Sequence, residues 1–118
     1  MKATGRIGMN PSAVEVSDLI CPRCGGDYLA HGRVDVFNRG EDARTLTHIR
    51  VDGAQASVRL VSSDEVPNPS RRRWGLSIRF DCEACSSGDP GDVIELTIAQ
   101  HKGQTEIGWR YTEKQKPD

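Results

Sequence analysis

The sequence predicts an all-β domain built on an antiparallel sheet of about six strands, and three observations carry that reading. Five short segments alternate apolar and polar residues with a period of two, the pattern of half-buried strands, and a sixth is a short β-branched and aromatic run. No window of a dozen residues holds the apolar stripe at three-to-four-residue spacing that a packed helix requires. Two C-x-x-C pairs, Cys21–Cys24 and Cys82–Cys85, bracket the first four of these segments, as a staple would.

Taken in order, Val34–Phe37 is a short β-branched and aromatic run that ends in the turn-like Asn38-Arg39-Gly40-Glu41-Asp42. Thr47, Ile49 and Val51 alternate with His48 and Arg50, and Asp52-Gly53 then marks a tight hairpin. Ala56, Val58 and Leu60 continue, with Ser57 and Arg59 on the other side. Residues 62–70 (SSDEVPNPS) form a loop by composition. Trp74, Leu76, Ile78 and Phe80 share one face of the next strand, with Ser77, Arg79 and Asp81 opposite. Ile94, Leu96 and Ile98 alternate with Glu95 and Thr97. After the turn His101-Lys102-Gly103-Gln104, Ile107, Trp109 and Tyr111 alternate with Glu106, Gly108 and Arg110. The organisation expected is a flexible arm over residues 1–18, with a helical turn near Ser12–Val16, one domain over 19–111 and a frayed tail over 112–118.

Composition explains why a staple is needed. Leu, Ile, Val and Phe supply 24 of 118 residues, a lean core at the border of the disordered class. The net charge of −1, from 16 basic and 17 acidic residues, argues against a disordered chain. No apolar run reaches the roughly 18–20 residues of a membrane span. The first eighteen residues have no apolar signal core, so a cytoplasmic location is expected.

The C-x-x-C spacing has a physical reason. Two intervening residues let both sulfurs of a tight turn aim at one centre while backbone N–H groups face the thiolates. Gly25, directly after the second cysteine, permits the positive φ of such a knuckle. Cys21, Cys24, Cys82 and Cys85 are therefore expected to hold one structural zinc ion per chain. The gap from Gly25 to Asp81 is 57 residues, far beyond the usual 15–20 or so. A strand-rich insertion can still bring its ends together, because loop-closure entropy grows only logarithmically with length. Disulfides would need an oxidising compartment, a thiol redox centre would need a helix after the C-x-x-C, and iron could fill the same cage. Four thiolates leave no open coordination position, and with Zn²⁺ they would take the chain to about −3.

At CPRCGG…CEAC the chain resembles zinc-ribbon proteins, whose paired knuckles pin a small antiparallel sheet. With VDVFNRGED, NPSRRRWGLSIRFDCEAC and LTIAQHKGQT added, it is similar to a group of small uncharacterised proteins of bacteria, phages and mobile elements. The resemblance implies an extended zinc ribbon enlarged between its knuckles, and it brings no established activity. For zinc ribbons it implies nucleic-acid contact or docking on transcription, translation or replication machinery.

The one locally basic stretch is residues 70–80 (SRRRWGLSIRF), with Arg71, Arg72, Arg73, Arg79 and Trp74 as candidate nucleic-acid or partner contacts. Asp64, Glu65, Asp81 and Glu83 flank it and would blunt its field. His101 and Lys102, at a hairpin tip, are further binding candidates. His48 is expected at the surface of its strand, and His31 is a spare ligand near the first knuckle. No P-loop, G-x-G-x-x-G after a strand, H-E-x-x-H or zinc-deaminase pattern is present. The function expected is a non-catalytic adaptor that docks on a protein partner, which in a phage or mobile element would be host machinery or a defence system. The alternative is a nucleic-acid-binding ribbon. No membrane association and no small-molecule substrate are expected.

Overall fold

The structure, a computed structural model, describes residues 18–83, 85 and 92–113. The expected N-terminal arm up to residue 17, with its helical turn near Ser12–Val16, and residues 114–118 of the expected tail lie outside these.

Six strands form one antiparallel sheet: β1 Leu29–Asn38, β2 Thr45–Asp52, β3 Gln55–Ser62, β4 Gly75–Cys82, β5 Asp92–His101 and β6 Gln104–Glu113. Their spatial order is β3-β2-β1-β4-β5-β6, so two three-stranded meanders lie side by side with β1 and β4 at the seam. A single 3₁₀ turn, Ser63–Glu65, is the only helical element among the described residues. The all-β expectation holds; β4 begins at Gly75, so Trp74 lies just before the strand it was expected to open, and the other five strands run longer than their expected segments.

Turn chemistry sets the two outer hairpins. Gly53 has φ +62° at the first central position of a two-residue loop, the type II′ geometry that matches strand twist. Lys102 (φ +51°) and Gly103 (φ +81°) make the corresponding type I′ turn between β5 and β6. The seam carries a β-bulge: His31 pairs with Phe80 but Val34 pairs with Ile78, so Gly32 and Arg33 together oppose Arg79. The bulge keeps Leu29 on the face of its partner Cys82 while turning Arg33 to the opposite face, beside Asp35.

The register defines those faces. One carries Ala56, Val58, Leu60, Ile49, Val51, Val34, Val36, Leu76, Ile78, Phe80, Ile94, Leu96, Ile98, Ile107, Trp109 and Tyr111. Ile94 and Leu96 are its most buried members, and Phe80 and Trp109 meet edge to face at 6.1 Å. The other face is polar along most of its length but holds Phe37 and Leu46, both nearly inaccessible. The connection from β3 back to β4 closes over this face at Gly75, the pairing partner of Phe37. A Cβ at Gly75 would lie 2.8 Å from Pro69 Cγ and overlap Asn68 Oδ1, so only glycine lets this loop close over the sheet. Ser70 Oγ donates to the Gln100 carbonyl (2.9 Å), and Arg39 Nη1 donates to the Arg71 carbonyl (2.8 Å), fastening the loop at both sides.

His48 corrects an expectation. It is not a surface residue: it is 7% exposed, stacks on Phe37 at 4.8 Å between centroids, and bonds Asp35 through Nε2 at 2.8 Å. Strand alternation separates two faces without saying which is covered, and here the loop covers part of the polar one.

Candidate functional site

The first knuckle is a turn over Pro22–Cys24 closed by backbone hydrogen bonds: Gly25 N donates to the Cys21 carbonyl (2.9 Å), and Cys21 N donates to the Gly26 carbonyl (2.8 Å). Gly25 adopts φ +78°, as the motif requires. The N–H groups of Arg23 and Gly26 point at the sulfurs of Cys21 and Cys24, each at 3.4 Å. Cys82, the last residue of β4, supplies the third sulfur, and Cys85 the fourth. The Glu83 N–H donates to the Tyr28 carbonyl at 3.0 Å and ties the second knuckle to the strand that leaves the first.

The four sulfurs converge. Cys21 Sγ lies 3.7 Å from Cys85 Sγ, Cys24 Sγ lies 3.5 Å from Cys82 Sγ, and all four fall within 4.8 Å of one another. Metal–sulfur bonds of about 2.3 Å in a tetrahedron place the sulfurs roughly 3.8 Å apart, so the spacing fits a metal ion. All four cysteines are unbridged. The donor set could hold a metal ion, and the 57-residue insertion does close. Packing four thiols together also resists ionisation: hydrogen bonding from Cys82, then Cys24, with burial and Cys21 adding, pushes the Cys85 thiol up to about 12. A cation at the centre would reverse that by stabilising the thiolates. The expected spare ligand, His31, pairs with Phe80 and is exposed; among the described residues only the four cysteines form a metal-ligating cluster. Across the site, the Arg23 guanidinium sits 5.7 Å over the Tyr111 ring.

The basic stretch is far less basic in three dimensions. Arg72 makes a two-pronged contact with Asp42 (Nε–Oδ1 2.8 Å, Nη2–Oδ2 2.7 Å) and reaches Glu41 at 3.2 Å. Arg73 also contacts Glu41, at 3.3 Å. The Arg72 hydrogen bond and charge hold the Asp42 carboxyl below its ordinary range. Arg79 lies apart from the loop on the polar sheet face, where it and Arg110 flank the buried Glu95 at 3.4 and 2.7 Å. Among the described residues the Arg71 guanidinium makes no ion pair. Arg71 and His101 do come together, lining with Pro69, Ser70, Gln100 and Glu106 an open cavity of about 250 Å³. Trp74 is 37% exposed at the loop's end, and Lys102 is exposed at the β5–β6 tip, outside that cavity lining.

One cluster was not singled out from the sequence. Asp35, 3% exposed, accepts from Arg33 Nε (3.0 Å), Arg50 Nε (2.8 Å) and His48 Nε2 (2.8 Å). Burial works to raise its pKa, but the bonds from Arg50 and His48 and the charges of Arg33 and Arg50 outweigh it, leaving the carboxyl below its ordinary value. The sequence signal was weak: an acid two residues before a buried aromatic on the same strand face.

Among the described residues no helix is long and apolar enough to cross a membrane. Comparison with known proteins yields no match to a protein-family model, a curated protein or a solved structure.

Proposed function

We propose that this chain is a non-catalytic zinc-binding adaptor of the reducing cytoplasm that docks on a protein partner. The observation that carries the reading is the β6 edge, where Ile107 and Tyr111, 37% and 49% exposed, stand on the apolar face beside Trp109. Exposed aromatic and aliphatic side chains along a strand that has no neighbour on its outer side among the described residues suit addition of a partner's strand. Zinc is the ion proposed because four thiolates at tetrahedral spacing match its structural sites, and a saturated sulfur cage has no place for a reacting water. If the chain is encoded by a phage or mobile element, host machinery or a defence system is the class of partner.

The neutralisation of Arg72 and Arg73 by Asp42 and Glu41 supports ranking protein docking above nucleic-acid binding. The Arg71–His101 groove is what favours the second reading, with contacts to phosphate. A pull-down of the tagged, metal-loaded chain from host lysate, with and without nuclease, separates the two. The expected result is a discrete protein that survives nuclease and is lost with Ile107→Asp/Tyr111→Ala but kept with Arg71→Ala. Enrichment that collapses with nuclease and with Arg71→Ala would replace the adaptor reading by the nucleic-acid one.

A further inference from the structure

We propose that β3 is a self-recognition edge through which two copies of the chain pair antiparallel around a two-fold axis at Val58. The inference goes beyond the docking reading and does not depend on it, since it uses the opposite edge of the sheet.

Hydrogen-bond parity along β3 carries the first step. The two-residue turn Gly53-Ala54 closes on the pair Asp52–Gln55. In such a hairpin the closing pair exchanges both backbone bonds, and bonded and non-bonded pairs then alternate. Ser57, paired with Arg50, and Arg59, paired with His48, therefore use their N–H and C=O groups within the sheet. Those of Ala56, Val58 and Leu60 point away from it, and among the described residues no strand lies beyond β3.

The side chains of the same three residues share the apolar face with Ile49 and Val51. Val58 is 68% exposed and Leu60 72%, the barest large aliphatics among the described residues, and every residue from Gln55 to Leu60 is exposed. Natural edges are blunted by lysine, proline, a bulge or a cover; β3 has no Lys or Pro and an uninterrupted register with β2. Of the two edges β3 is the barer: on β6, Ile107 and Tyr111 are 37% and 49% exposed, and Arg23 sits over the Tyr111 ring.

A strand that pairs with its own copy must read compatibly from both ends, and β3 does so in one register. Centred on Val58, Val58 faces Val58 of the second copy, Ala56 faces Leu60, and Arg59 faces Ser57. Centring on Arg59 would set two guanidinium groups directly opposite each other, which is destabilising. Centring on Ser57 would carry Leu60 past the end of the paired strand. The favoured register makes about six inter-chain backbone bonds and one continuous apolar ladder, and it extends two six-stranded sheets into one. The contact is small by the standard of stable complexes, so the equilibrium belongs in the micromolar range.

The test is sedimentation equilibrium of the full, metal-loaded chain from about 5 to about 500 μM. Wild type is expected to dimerise within that range. Val58→Lys, which opposes two ammonium groups across the axis, is expected to weaken pairing at least about tenfold. An equimolar mixture of Val58→Lys and Val58→Glu is expected to recover association to within about threefold of wild type, because only residue 58 meets itself. Should either charged variant lose its cooperative melt or its metal, Val58→Pro replaces it: that N–H points outward, so the β2–β3 ladder survives while pairing is blocked. A wild type that stays monomeric throughout, including one that instead captures a strand of another protein, overturns the proposal. So does a Val58→Lys or Val58→Pro variant that pairs as wild type does, or a charge-swapped mixture of folded variants that does not recover.

Discussion

Cys24→Ser is expected to abolish the cooperative fold, although Cys24 is the exposed member of the cluster. A packing argument predicts the reverse ranking, with Cys21, 2% exposed, as the costly site and Cys24 close to neutral. The ligand argument makes the four sites equivalent, since loss of any one thiolate opens the cage. Structural zinc contributes on the order of 10 kcal/mol in small zinc-finger peptides, comparable to the whole stability of an ordinary domain. This chain has little else to rely on: two meanders in one sheet, a lean aliphatic complement, and a clip that closes a 57-residue insertion. Cys21→Ser and Cys82→Ser should behave alike. Thermal melting followed by circular dichroism, before and after a zinc chelator, reads the result. Wild type should melt like the Cys24→Ser chain once chelated; a Cys24→Ser chain melting cooperatively within about 5 °C of wild type would contradict the structural-metal account.

Asp35→Asn is expected to destabilise the domain by about 3 kcal/mol at neutral pH, the cost of leaving buried cations without their counter-charge. Arg50 is partly solvated, which moderates the figure, whereas Arg33 is well covered. The carboxyl's folded pKa is depressed, so its contribution is present above the ordinary carboxylate value near 3.9 and is lost as pH falls through the folded value. In urea titrations the gap between wild type and Asp35→Asn should therefore persist at pH 5 and narrow only below about pH 4. A gap already gone at pH 5, or absent at pH 7, would show that the cluster is not holding the sheet.

Much of this was legible in the sequence, for reasons tied to particular residues. Period-two alternation located five strands and a β-branched and aromatic run the other, and glycine at 25, 53 and 103 marked three of the five described positions where φ is positive, Asp42 and Lys102 being the other two. The four cysteines that could hold a metal ion were legible because two-residue spacing is a local property of a turn. What was hidden is what depends on long-range placement. Glu41 and Asp42 read as turn residues, yet they neutralise Arg72 from about thirty positions away. His48 read as solvent-facing because alternation does not reveal that the loop through Pro69 covers the polar side. The bulge at Gly32–Arg33, which sends Leu29 and Arg33 to opposite faces, has no signature beyond one glycine in a strand.

The central claim is that two knuckles far apart in the chain share one metal and that this shared site holds the fold. The most direct measurement takes metal content and X-ray absorption at the metal edge from the same folded, reduced sample. The account predicts one zinc per chain with four sulfur neighbours at about 2.3 Å. A folded chain without metal, carrying a Cys21–Cys24 or Cys82–Cys85 disulfide, or a metal with fewer than four sulfurs, would contradict it.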